Sequence, residues 1–151
     1  MSRPNKHDYY LSIAEAVLTR STCLRRHYGA VIVKDDEIIA TGYNGSPRGW
    51  PNCCDRGTCQ REELQVPHGE RFELCSATHA EANAIISAAR RDMINSILYL
   101  AGREADGSPV LDAEPCLMCK RQIINAGIDR VISRAADGSL HILSVKNLQK
   151  E

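Results

Sequence analysis

Four side chains in this sequence could share one metal ion and one travelling proton. His79 and Glu81 stand two apart in Thr78-His79-Ala80-Glu81-Ala82-Asn83-Ala84-Ile85. Cys116 and Cys119 stand three apart in Glu114-Pro115-Cys116-Leu117-Met118-Cys119. Imidazole nitrogen and thiolate sulfur are donors that zinc accepts in tetrahedral geometry. Three such ligands leave the fourth position to water, which marks a catalytic rather than a structural site. Glu81 is then not needed as a ligand and can move protons at that water.

The elements needed to position these residues are two helix starts. Residues three apart on a helix share one face, so Cys116 and Cys119 would point the same way. Pro115 suits the first helical position. Both thiols then fall in the first turn, where the helix dipole favours thiolate. Thr78 and Glu81 also fit a capping box, with Thr78 as N-cap, which is a purely structural use of the same residues. A lone C-x-x-C could equally be a redox pair or half of a structural zinc site. The joint occurrence of His, Glu, Pro, Cys and Cys in this order favours the catalytic reading.

With 151 residues the expectation is a single domain large enough for a real core. Hydrophobic content of 43% and charged content of 25% are those of an ordinary globular chain. Nineteen basic and nineteen acidic residues cancel, which argues against stable, non-specific nucleic-acid binding. No apolar stretch approaches the length of a membrane span, and the first residues lack the apolar run of a signal peptide. The chain therefore reads as cytoplasmic. There, its seven cysteines are expected as metal ligands or free thiols rather than disulfides.

Along the chain, apolar spacing predicts a helix from about Asp8 to Arg20, with a polar loop from Ser21 to Tyr28. Strands at 29–34 and 37–43 flank Asp35-Asp36 as an antiparallel hairpin, apolar enough for burial on both faces. Residues 44–78 read as an irregular, cysteine-rich insert, with a short helix near 60–64. A loop this long is uncommon unless functional or clamped. Then follow a helix over 79–91, a strand at 97–100, a helix over 115–126 capped by Gly127, and strands at 130–133 and 141–145. Strand, helix, strand implies a parallel pair. The expected fold is α/β, a five-stranded mixed sheet with helices on both faces.

The signature H-x-E…P-C-x-x-C is that of zinc-dependent nucleobase deaminases. The chain resembles the cytidine deaminase superfamily and, within it, the deoxycytidylate (dCMP) deaminase family. Four segments carry the resemblance: Ser21-Thr22-Cys23 with Gly29-Ala30-Val31, Thr41-Gly42-Tyr43-Asn44-Gly45-Ser46-Pro47, His79-Ala80-Glu81 with Asn83-Ala84-Ile85, and Pro115-Cys116-Leu117-Met118-Cys119. The Gly-Tyr-Asn-Gly-Ser-Pro segment narrows it to the dCMP branch. The resemblance implies a three-layer αβα sandwich. It also implies hydrolytic deamination of dCMP to dUMP, and a homo-oligomer, often a hexamer. On the same grounds Asn44 is expected to bind the sugar, and Ala80 and Pro115 to touch the substrate. Regulation by dCTP and dTTP is expected beside Tyr43 and Gly45. Asn-Gly is also a strong turn signal, and Asn44 can serve both purposes. Some members carry a second, structural zinc, whose ligands here would be Cys23, Cys53, Cys59 and Cys75, with His68 and Cys54 as substitutes. Buried idle thiols are the alternative.

For the 5′-phosphate, Arg26 is the first candidate, with Arg25 and His27 behind it, because Arg pairs with phosphate in bidentate fashion. A solvated basic turn is the competing reading. The chain departs from the family after the fourth strand, where Ser133-Arg134-Ala135-Ala136-Asp137-Gly138 contains no aromatic residue. That leaves open a deaminase acting on dCTP or another cytosine nucleotide. A non-catalytic zinc or nucleotide-binding module is the alternative from a different class, and the intact Glu81 weighs against it.

Overall fold

Asn5 starts the first helix, because its Oδ1 accepts the Asp8 backbone N–H at 2.9 Å. The structure, a computed structural model, describes residues 2–149, Phe72 by its backbone alone. Helix α1 spans Lys6–Leu18, so it begins two residues earlier than the apolar spacing alone suggests. The cap residue is the signal that would have placed it.

Strands β1 (Arg26–Lys34) and β2 (Glu37–Tyr43) form the antiparallel hairpin. Asp35 and Asp36 both take positive φ, 50° and 64°, as a two-residue hairpin turn of matching twist requires. β1 is three residues longer than its apolar run, so Arg26, His27 and Tyr28 lie in a strand and not in a loop. β1 is buried along its middle. β2 is the sheet edge, with Ile38 and Tyr43 exposed, so the expectation of burial on both faces holds for β1 alone.

The insert contributes helices α2 (Cys53–Arg56) and α3 (Gln60–Glu63) and a 3-10 turn at Phe72–Leu74. The expected single helix over 79–91 is two: α4 (Ala80–Ile86) and α5 (Arg90–Met93). The Ser87 hydroxyl donates back to the Asn83 carbonyl at 3.0 Å, taking a backbone acceptor at the point where α4 ends. Strand β3 runs from Ile97 to Glu104, helix α6 from Leu117 to Ala126, β4 from Arg130 to Arg134 and β5 from Leu140 to Ser144. Gly127 ends α6 at φ 82°, a left-handed cap open to glycine.

The sheet order is β2-β1-β3-β4-β5, with β3 and β4 parallel and the other pairs antiparallel. One face packs on α1 through Tyr10, Leu11, Ala14, Leu18, Val31, Val33 and Tyr99. The other packs on α4, α5 and α6 through Ala30, Ile32, Ala80, Ala84, Met93, Leu98 and Ile123. The three-layer αβα sandwich is therefore as expected. Among the described residues no helix is long and apolar enough to cross a membrane.

Candidate active site

Two helix starts meet on the α4/α6 face of the sheet. His79 is the N-cap of α4 in extended conformation, and Cys116 is the N-cap of α6. The capping-box reading is thereby corrected. Thr78 lies one residue before the cap and pairs with Gly45, each donating its N–H to the other's carbonyl at 2.8 and 3.1 Å. Pro115 likewise precedes the cap instead of occupying the first helical position. The correction leaves both thiols at the helix start. The Cys119 N–H donates to Cys116 Sγ at 3.5 Å.

The Nδ1 atom of His79 lies 3.4 Å from Sγ of Cys116 and 3.4 Å from Sγ of Cys119. Among the described residues this is the group whose donor atoms all fall within 4.8 Å of one another. One nitrogen and two sulfurs at this spacing fit zinc. The hydrogen bond from the Cys119 thiol, aided by His79, holds the Cys116 thiol far below its ordinary range, as a thiolate. Cys119 shifts upward, through the same hydrogen bond and through burial. The hydrogen bond with Cys116 raises His79.

Glu81, in the first turn of α4, is 5% exposed. Burial pushes its carboxyl above the ordinary range, and it shares a hydrogen bond with the Cys119 side chain. A buried carboxyl touching a group of donor atoms that could hold a metal is placed to exchange protons with whatever enters the site.

His79, Glu81 and Cys116 form one wall of a cavity of about 450 Å³, with Cys119 buried behind them. Ala80, Asn44, Arg25, Arg26, Cys23, Cys53, Cys59 and Cys75 line it as well. Pro115, Tyr43, Gly45 and His27 are not among its lining residues. The cavity also takes in His68, expected only as a substitute zinc ligand, and Tyr28, Arg61, Glu104 and Glu114, whose place in the site the sequence reading did not foresee. The β1–β3 register sets Arg26 opposite Glu104 and Tyr28 opposite Gly102. A Cβ on Gly102 would come within 2.7 Å of the Tyr28 ring, so this glycine makes room for it.

Asn44, 8% exposed, is occupied by the fold. Its Nδ2 donates to the Arg26 carbonyl at 2.9 Å, and its Oδ1 accepts from the Tyr28 N–H at 2.9 Å and the Ser21 hydroxyl at 2.6 Å. It fastens the end of β2 to the start of β1. Arg26 donates to Glu104 at 3.0 Å and to the Tyr28 hydroxyl at 3.4 Å. The loop carrying Cys116 is anchored by the buried Ser133 hydroxyl, which donates to the Ala113 carbonyl at 2.9 Å.

The four insert-side cysteines share the cavity, and Cys75 feels the charge of Cys23, Cys53 and Cys59. Cys23 and Cys75 each accept a backbone N–H from two residues on, at 3.4 Å. Their sulfurs do not meet the mutual ligand spacing found at His79, Cys116 and Cys119. Cys54 is exposed.

Fold and site together define a cytidine deaminase-like protein, with a His/Cys/Cys group that could hold a metal at two helix starts and an acid beside it. The family described as "Cytidine and deoxycytidylate deaminase zinc-binding region" matches residues 4–135. The deoxycytidylate deaminase of Mycobacterium phage D29 is 39% identical over 137 residues, covering 87% of this chain and 96% of the phage protein. That of Schizosaccharomyces pombe is 37% identical over 131 residues, covering 86% of this chain but 37% of the yeast protein. This chain thus spans less than two fifths of the yeast relative. The apo crystal structure of the dCMP deaminase of cyanophage S-TIM5 aligns with a TM-score of 0.62 at 28% identity, over 91% of this chain and 89% of the phage chain. The chain belongs to the cytidine and deoxycytidylate deaminase family.

Proposed function

We propose that the protein is a zinc-dependent deaminase that converts dCMP to dUMP with release of ammonia. The observation that carries this reading is the buried Glu81 carboxyl lying against the His79, Cys116 and Cys119 set at the wall of a nucleotide-sized cavity. The D29 and fission yeast relatives, both deoxycytidylate deaminases, support the substrate.

His79, Cys116 and Cys119 would hold the ion, which when bound supplies a Lewis acid that makes water nucleophilic near neutral pH. Glu81 does the rest of the proton work. It takes a proton from the attacking water and delivers it to N3 of the cytosine ring, which makes C4 electrophilic. The water oxygen bonds to C4. Glu81 then carries the proton of the new C4 hydroxyl to the exocyclic amine, the C4–N bond breaks as the C4 carbonyl forms, and ammonia leaves. One carboxyl serves as base and acid in turn, and burial raises its affinity for the proton it carries.

The whole chain reads as one deaminase domain, with the 44–78 insert walling the cavity. Two further features belong to the reading. Four cysteines on the insert side favour a second, structural zinc. The exposed Ile86 of α4 and Leu117 of α6, on helices that pack together, favour association with further copies of the chain.

Ammonia release from dCMP, dCTP, deoxycytidine and a cytosine-containing oligonucleotide tests the reading. Turnover of dCMP well above the rest is the expected result. Equal turnover of dCMP and deoxycytidine would point to a nucleoside deaminase, and no turnover of any of them would leave a binding module.

A further inference from the structure

We infer that His141, on the edge strand β5, is a positioning residue of the active site: with Lys120 it holds the Glu114 carboxylate, and through it the turn that brings Cys116 to His79. This assignment rests on the zinc-deaminase reading above and gives β5 a part in it.

Glu114 lines the catalytic cavity two residues before Cys116, and side chains from two different elements meet its carboxylate. Nζ of Lys120, in α6, lies 3.3 Å from one oxygen. Nε2 of His141 lies 3.4 Å from the other. Nδ1 of His141 is 4.0 Å from the Asp112 carboxylate, beyond hydrogen-bond reach, so Glu114 is the closer partner of the ring. Nε2 is itself buried and has no aligned hydrogen bond. A buried N–H without an acceptor is costly, and a carboxylate can only accept. Glu114 is therefore drawn toward His141 on one side and Lys120 on the other.

Strand register puts His141 there. It stands directly opposite Ser133 in the β4–β5 pair, so the two side chains share a face. The Ser133 hydroxyl holds the Ala113 carbonyl, and the Arg134 carbonyl accepts the Asp112 N–H at 2.6 Å. The strand pair thus grips three consecutive residues. β4 takes Asp112 and Ala113 by their backbone, and β5 takes Glu114 by its side chain.

Pro115 passes this hold on to Cys116. Its ring fixes its own φ and restricts the backbone of the residue before it, Glu114. Little rotational freedom then separates a fixed Glu114 from Cys116. Lys120 closes the arrangement from the other end, since its backbone N–H donates to the Cys116 carbonyl at 2.8 Å. The 3.4 Å approach of Cys116 Sγ to His79 Nδ1 depends on the turn keeping this course.

The test compares the wild type with His141→Leu, His141→Gln, Glu114→Ala, the double variant His141→Leu with Glu114→Ala, and Ile142→Thr, a change at an exposed residue of the same strand. Two things are measured: loss of zinc to a chelator, followed by alkylation of Cys116, and kcat and KM for dCMP. Groups that orient a metal-holding residue contribute on the order of tenfold or more to metal affinity or activity. His141→Leu should therefore speed Cys116 alkylation and lower kcat, each on the order of tenfold, with KM little changed. His141→Gln keeps an N–H within reach of Glu114 and should recover most of both. Because His141 acts through Glu114, the double variant should be no worse than Glu114→Ala alone. Ile142→Thr should release zinc as the wild type does. Losses that multiply in the double variant, a Gln variant no better than Leu, or equal zinc loss in Ile142→Thr would make His141 a merely structural part of β5 and overturn the inference. A wild type that holds zinc without deaminating dCMP would defeat the function proposed above, and Cys116 alkylation would still decide the role of His141. A wild type whose Cys116 zinc does not protect it at all would overturn both.

Discussion

Gly42 of β2 lies directly beneath Ala80, the first residue of α4. A Cβ built on Gly42 would fall inside contact distance of the Ala80 carbonyl and the Ala84 N–H, and within 3.0 Å of the Asn83 carbonyl carbon. These are backbone atoms of a packed helix, which cannot rotate aside as a side chain could. The same helix is held to the end of β2 by Asn83, whose Nδ2 donates to the Tyr43 carbonyl at 2.8 Å. The contact fixes the height of Glu81 and His79 above the sheet.

Gly42→Val should therefore lift α4. Overpacking of this kind costs about 1–3 kcal/mol, and the displacement should separate His79 from the two thiols. We expect a lower melting temperature, reduced zinc content and reduced turnover together. Full zinc occupancy in a destabilised variant would show that α4 yields without disturbing the triad.

The sequence carried the site's chemistry better than its surroundings. His79, Glu81, Cys116 and Cys119 could be named because zinc chemistry restricts residue type and spacing at once. Their helix starts were misplaced by a residue or two, because an extended residue can cap a helix and hold a ligand simultaneously, as His79 and Cys116 do. The apolar run after the Asp35-Asp36 turn recovered β2 to the residue. It missed the first three residues of β1, since Arg26, His27 and Tyr28 are polar and their place in the sheet comes from pairing with β3. Glu104 was missed for the same reason, as it is brought to the cavity by register alone. Arg61 and His68 depend on the course of an irregular insert, for which no periodicity exists to be read.

Away from the site, Asp36 in the hairpin turn ties the sheet to α1. It accepts from Lys6 Nζ at 2.6 Å and from the Tyr10 hydroxyl. The Lys6 hydrogen bond, and after it that of Tyr10, holds the Asp36 carboxyl below its ordinary range. The same contact pushes Tyr10 up to about 12. Folding lowers the Asp36 pKa, so its contribution is fully present above the unfolded value, about 3.9. It is lost as pH falls through the still lower folded value. Asp36→Asn should thus be less stable than wild type near neutral pH, with the gap closing below about pH 4. Urea melts across that range check this. A gap that does not change with pH would mean that the contact acts through shape and not through charge.

If Cys23, Cys53, Cys59 and Cys75 close on a metal, purified protein should carry about two zinc ions per chain. Cys23→Ser or Cys75→Ser should then lower the content toward one and loosen the insert, because the free energy of metal binding is folding free energy where the ligands come from a loop. Metal analysis and limited proteolysis of residues 44–78 would show both effects. One zinc in the wild type, with these four thiols alkylated as fast as the exposed Cys54, would refute the second site.

Glu81→Gln separates proton transfer from metal binding more sharply than any other substitution here. The amide keeps the size of the carboxyl and its ability to hydrogen-bond, so the buried space beside Cys119 stays filled. Glu81 is not one of the three residues grouped at ligand distance, so zinc content should match the wild type. What the amide cannot do is take a proton from water and return it to N3 and then to the departing amine. General acid–base groups contribute on the order of a hundredfold or more, and here one group acts at three successive transfers, so the loss should exceed that of a residue used once. Turnover of dCMP should fall at least a hundredfold with KM little changed, since substrate binding does not depend on the transfer. A variant that retains a tenth of wild-type kcat, or one that loses its zinc, would show that Glu81 is not the proton carrier and would return the role to a residue elsewhere in the cavity, with Glu104 and Glu114 the carboxyls next in reach of its interior.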